Sequence, residues 1–180
     1  GCFNATGKCL THVTNDEKLL VFLEKFVPFA TKYPKQAQMI FDESSKLPNA
    51  AKSALDLVEQ GFYSPKGIAH LLKCADQTLL SDHLSSIKNI ICTCPYLGFL
   101  YLQRFPSEYK HLLASSKGSK ELLFVVLMSY TEGSVELSDI LESFGEEVFD
   151  VVWWTLNLRP ELSGELIGEQ EAQALANKVD

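Results

Sequence analysis

Apolar residues along this chain come in short bursts at helical spacing, and a proline stands ahead of most bursts. After Pro34, Pro48, Pro65, Pro95, Pro106 and Pro160, the sixth and seventh residues are apolar every time. The pairs are Ile40/Phe41, Ala54/Leu55, Leu71/Leu72, Tyr101/Leu102, Leu112/Leu113 and Leu166/Ile167. Proline suits the first helical position, because its missing N–H would be unpaired there and its fixed φ already fits a helix. An apolar pair about two turns later falls on the stripe that a surface helix buries. The pattern predicts helices over 34–46, 48–60, 65–76, 95–105, 106–116 and 160–179.

Other bursts start without a proline. Thr14-Asn15-Asp16-Glu17 supplies a capping residue and first-turn acids, and Leu19, Leu20, Phe22, Leu23, Phe26 and Val27 follow. Pro28 falls inside that pattern, so this helix is expected to end or kink there. Further helices are predicted over 78–93, 120–130, 138–144 and 145–158, with breaks at Lys117-Gly118-Ser119 and Gly133-Ser134. Gly61 fits a left-handed stop. Residues 95–105 are apolar almost all round, which predicts a central, fully buried helix. The run 122–128 has a strand's composition, but its length and neighbours favour a core helix.

Residues 1–13 show no period and read as a flexible leader; 14–180 read as one all-α domain. The expected architecture is a compact bundle of eight to ten short helices around one core, with solenoid-like stacking as a variant. Two stretches resemble each other 72 residues apart: Phe29-Ala-Thr-Lys-Tyr33-Pro34 and Tyr101-Leu-Gln-Arg-Phe105-Pro106. A duplicated helical unit would explain this. The other proline spacings are irregular, so shared helix-start chemistry is the simpler account.

Composition narrows the class. With 180 residues and 46% apolar content the chain can build a core, which excludes wholesale disorder. No apolar run reaches the roughly 18–20 residues a bilayer span needs. The net charge of −7 is unevenly spread: residues 1–131 carry 14 Lys+Arg against 11 Asp+Glu, and residues 132–180 carry 2 against 12. Phosphate repels such a segment, so no nucleic-acid partner is expected, whereas a basic or mixed protein surface is. The Gly1-Cys2 start lacks the hydroxyl residue that myristoylation wants at Ala5, and reads as part of a larger or processed protein.

Candidate chemistry is thin. His70 and Cys74, four apart on one helical face, are joined by Cys92-Thr93-Cys94 as a possible zinc set, but the Cys-x-Cys spacing is tight. Cysteines in apolar helices are more simply small buried hydrophobes. Cys2 and Cys9 flank an Asn4-Ala5-Thr6 glycosylation sequon, which leaves the compartment undecided. His12, His70, His83 and His111 belong to no nucleophile motif, and Asp82 is a poor orienter for the adjacent His83. Glu146-Glu147 and Glu165/Glu169 read as solvated faces, and phosphate loops are absent. No catalytic, metal or cofactor assignment follows.

Trp153-Trp154 is the exception. Successive helix positions do not share one core, so one indole is expected at a boundary, with packing of both between helices as the alternative. The functional expectation is a non-enzymatic protein-interaction module whose acidic C-terminal surface uses Phe144, Phe149, Trp153 and Trp154 as anchors among Glu146, Glu147 and Asp150. The alternative is a helical carrier for a small apolar molecule, with the Phe and Leu of the central helices lining a cavity.

Overall fold

A computed structural model describes residues 16–116, 119–130 and 149–162. Among these the chain forms ten α-helices and no strand, as the all-α expectation requires. They are α1 (Asp16–Lys32), α2 (Pro34–Ser45), α3 (Ala51–Glu59), α4 (Pro65–Cys74) and α5 (Gln77–Ser81), then α6 (Leu84–Thr93), α7 (Gly98–Arg104), α8 (Tyr109–Ser116), α9 (Lys120–Ser129) and α10 (Phe149–Leu158). The chain divides into two compact units, Gly1–Leu100 and Tyr101–Asp180. The expected leader 1–13, the Thr14-Asn15 cap, the Gly133-Ser134 turn, the 138–144 helix and residues 163–180 lie outside the described residues.

The prolines act as the pattern predicts. Pro34 and Pro65 take the first turns of α2 and α4. Pro48, Pro95 and Pro106 open single 3-10 turns that lead into α3, α7 and α8. All ten residues of the first five apolar pairs are buried. Leu166/Ile167 lie outside the described residues. At Tyr33, Cys94 and Phe105, the residues before three of these prolines, the backbone stands at φ −131, −129 and −132° with ψ 65, 71 and 69°. Proline's ring disfavours the helical region for its predecessor, so the chain leaves the helix at these three joints. Each N–H still reaches the carbonyl four residues back, at 2.7, 2.9 and 2.9 Å. One helix therefore closes on the residue from which the next begins.

That joint accounts for the internal resemblance. Phe29 and Tyr33 have ring centroids 5.4 Å apart, tilted 43°; Tyr101 and Phe105 stand 5.4 Å apart, tilted 41°. Cys94-Pro95 repeats the backbone without the rings. The likeness thus follows from proline stereochemistry and needs no duplicated unit.

Within the first unit α2 packs on α1, α3 and α4. The α2–α4 approach is close: a Cβ on Gly67 would stand 2.2 Å from a Phe41 ring carbon. Ser64 caps α4, accepting from the Gly67 N–H at 3.0 Å and donating to the Asp42 carboxylate. The buried hydroxyls of Ser44 and Ser45 are satisfied locally, donating to Ile40 and Phe41 carbonyls at 2.7 Å. Helix α3 ends as expected at Gly61, φ +84°, with Phe62 N–H bonding Leu57 O and Gly61 N–H bonding Val58 O, both at 2.9 Å. This pair of bonds is a Schellman stop. It turns Phe62 onto Phe26, edge to face at 5.6 Å.

Three expectations are narrowed or corrected. Of the end or kink expected at Pro28, the end is excluded, since helix α1 runs on to Lys32. Pro28 and Glu24, whose carbonyl loses its intrahelical donor, are both exposed, so that carbonyl is not stranded in a core, while buried Phe26 and Ala30 hold the helix on either side. The single helix over 78–93 is two, broken at Asp82-His83, where the His83 N–H closes onto Leu80 O at 3.0 Å. Residues 95–105 are not fully buried: Tyr96 and Phe99 are exposed.

In the second unit α9 packs on α8 and α10. Leu122, Leu123, Val125, Val126 and Leu127 are buried, which settles the 122–128 run as a core helix. Ser119 caps it, accepting from Leu122 N–H at 3.3 Å. Tyr101 is fully buried; burial first, and the nearby Glu108 carboxylate second, push its phenol well above the ordinary range.

Candidate functional site

Helix α10 has two faces of opposite fate. Val151, Val152 and Thr155 are buried, and the Thr155 hydroxyl is satisfied by the Val151 carbonyl at 2.8 Å. Asp150, Trp153, Trp154, Asn157 and Leu158 are all exposed. These five follow the spacing i, i+3, i+4, i+7, i+8, so they form one continuous outer stripe. Trp153 is 37% exposed, Trp154 60% and Leu158 60%. The two indoles meet edge to face, 5.1 Å between centroids at 83°. Asn157 donates its side-chain amide to Trp153 O at 2.8 Å, and it is the one polar side chain between Trp153 and Leu158 on the stripe.

Charged contacts pin the helix at both ends. Lys120 at the start of α9 meets Asp150 at 3.2 Å. Beyond the other end, Arg159 Nη1 lies 3.1, 3.2 and 2.8 Å from the carbonyl oxygens of Leu127, Met128 and Tyr130. A guanidinium there satisfies the carbonyls at the α9 C-terminus and matches the negative end of its dipole. Its Nε donates to Glu161 at 2.9 Å. Start meets start and end meets end, so α9 and α10 run parallel. The Lys120 ammonium holds the Asp150 carboxyl below the ordinary carboxylate range, and backbone N–H bonds with Arg159 do the same for Glu161.

Of the residues singled out in the sequence, the structure brings Asp150, Trp153 and Trp154 onto this stripe. Phe149 opens α10. Phe144, Glu146 and Glu147 lie outside the described residues. Packing of both tryptophans between helices is excluded: both are exposed, because Val151, Val152 and Thr155 occupy the buried side of α10. Sequence reasoning passed over Asn157 and Leu158, which the same spacing would have revealed, and the pinning residues Lys120 and Arg159, for which it held no signal.

The alternative chemistries fare as follows. His83 Nδ1 lies 2.9 Å from Glu59 on α3, so that carboxylate orients the ring and Asp82 does not. Hydrogen bonds from His83 and then Ser86 hold Glu59 below its usual range. Cys74 is exposed, and Cys92 and Cys94 are half-buried, so the expectation of buried cysteines is corrected. Helix α4 ends at Cys74, where its side chain meets solvent; burial pushes the Cys92 thiol up. Among the described residues no three His, Cys, Asp or Glu side chains converge as a metal site, and no helix is long and apolar enough to cross a membrane. Comparison of the chain with family models, curated proteins and solved structures gives no match.

Proposed function

We propose that this chain is a non-enzymatic protein-interaction module and that the outer stripe of α10 is its docking face. The observation that carries the reading is a pair of adjacent tryptophans, with Leu158 one turn on, held in solvent on a helix whose inner face is packed and whose ends are tied. Rigid aromatic anchors of this kind concentrate binding energy, about 2 kcal/mol or more each on truncation. The stripe has the period of a helix–helix seam, which suits an amphipathic helix as the partner element. Residues 132–180, with 2 basic against 12 acidic side chains, call for a basic rim on that partner and disfavour nucleic acid.

A leucine-faced, lysine-flanked amphipathic peptide is the probe. It should bind saturably, more weakly as salt rises, and a glutamate-flanked version of the same peptide should not bind. Replacing Trp153 and Trp154 by Ser should abolish binding. The triple reversal Glu146→Lys, Glu147→Lys and Asp150→Lys should weaken it and flatten its salt dependence. Equal binding of the two peptides, or unchanged affinity in the tryptophan variant, would overturn the assignment.

A further inference from the structure

A concavity lies in the first unit, and it does not depend on the reading of α10. It occupies about 340 Å³ between α1, α2 and the turn that follows α3. The carrier alternative placed a cavity among the central helices, whereas this one is built by the Gly61 stop. The left-handed turn swings Phe62 over Phe26, and Tyr63 follows it to the rim.

The walls define what fits. Phe26 and Phe41, both buried core residues, line the space, so the cleft reaches the core. Ala30 follows Phe26 by one turn on α1 and Ala37 precedes Phe41 by one turn on α2, both alanines buried, and at Gly61 an added Cβ would meet nothing within 4 Å. Small residues one turn from large rings leave volume open, whereas protein interiors are otherwise close-packed. The volume sits at the lower end of small-molecule pockets. Among the described residues no charged side chain lines the cleft. Its polar side chains are the exposed Gln38, with an amide donor and acceptor, the exposed Tyr63, with its phenol, and the exposed Thr31, whose hydroxyl already donates to Val27 O at 3.0 Å and so has only acceptor capacity left.

The geometry points to a binding site for a small, flat, uncharged aromatic molecule that carries one N–H or O–H donor. The rings take its faces and edges, the absence of charge admits no ionised group without an unmatched desolvation cost, and Thr31 and Gln38 receive the donor.

Indole is the test ligand and naphthalene its donor-free control, with binding followed through the ring resonances of the folded chain. Indole should bind saturably at one site, with shifts at Phe26, Phe62 and Tyr63. Ala37→Leu, which fills the floor, should weaken both ligands by about tenfold or more. The exposed pair Thr31→Val and Gln38→Ala leaves the walls intact; it should weaken indole and leave naphthalene unchanged, and it decides the matter if Ala37→Leu does not fold. No saturable binding of either ligand, shifts confined to other rings, or indole affinity unchanged in the Thr31/Gln38 variant would overturn the site.

Discussion

Helices α4 and α10 are both ten residues long and both rich in apolar side chains, yet they spend them differently. On α4, Ile68, Leu71 and Leu72 are all buried, and Gly67 lets the helix approach Phe41 so closely that no Cβ fits between. On α10, Val151 and Val152 suffice for packing on α9, and Trp153, Trp154 and Leu158 are left outside. The first arrangement is what stability alone produces. The second holds apolar area beyond what the fold uses, and the surplus lies in one stripe. Large apolar residues collected on one face of an element mark a place where something else binds.

Perturbation should separate the two helices. The largest effect is expected from Gly67→Ala. Helix propensity favours alanine by about 1 kcal/mol, but the new Cβ would stand 2.2 and 2.4 Å from two Phe41 ring carbons, so the helices must part. Overpacking costs about 1–3 kcal/mol, so urea unfolding should show a net loss of up to about 2 kcal/mol. Ser64→Ala removes the α4 cap and strips Asp42 of its donor, for a loss of about 1–2 kcal/mol in the same assay. Arg159→Ala, the corresponding injury to the second unit, uncaps the end of α9; about 1–2 kcal/mol should be lost. If instead it changed nothing, the pinning of α10 would be incidental.

Smaller still should be the cost of replacing Trp153 and Trp154 by Ser, within about 0.5 kcal/mol of the native chain, because neither indole is core. A large loss would place the tryptophans among the fold's own supports and erase the contrast with α4. Acidification should have the mildest effect. Glu59, Glu43 and Asp150 all have carboxyls held below their ordinary values, by His83, Lys46 and Lys120 respectively. A depressed folded value means that the stabilisation is present above the unfolded value near pH 4 and is lost as pH falls through the folded one. The melting temperature should therefore decline only below about pH 4.5, and Asp150→Asn should blunt the decline slightly.

Much of the helical punctuation was legible in the chain because it rests on local chemistry. Proline's fixed φ and the two-turn spacing to an apolar pair are properties of a few consecutive residues, and all five described pairs are buried. Gly61 was legible for the same reason. What escaped depended on contacts between distant residues. Pro28 reads as a break until Phe26 and Ala30 are seen to hold the helix through it. His83 divides the 78–93 segment at the point where it meets Glu59, 24 positions away. The tryptophans could be placed on a helix, but which side of α10 faces α9 is decided by Lys120 and Arg159 at its ends. The cleft needed Phe26, Ala37 and Phe62 to come together from three elements. Periodicity reports how a helix is divided into faces, and it does not say which face the rest of the chain will cover.

The claim that the α10 stripe is surplus to the fold is tested most directly by tryptophan fluorescence, since Trp153 and Trp154 are the only two tryptophans in the chain. The native chain alone should emit at the long wavelength of water-exposed indole and be quenched freely by acrylamide. Short-wavelength emission shielded from acrylamide would place the indoles in a core and contradict the account.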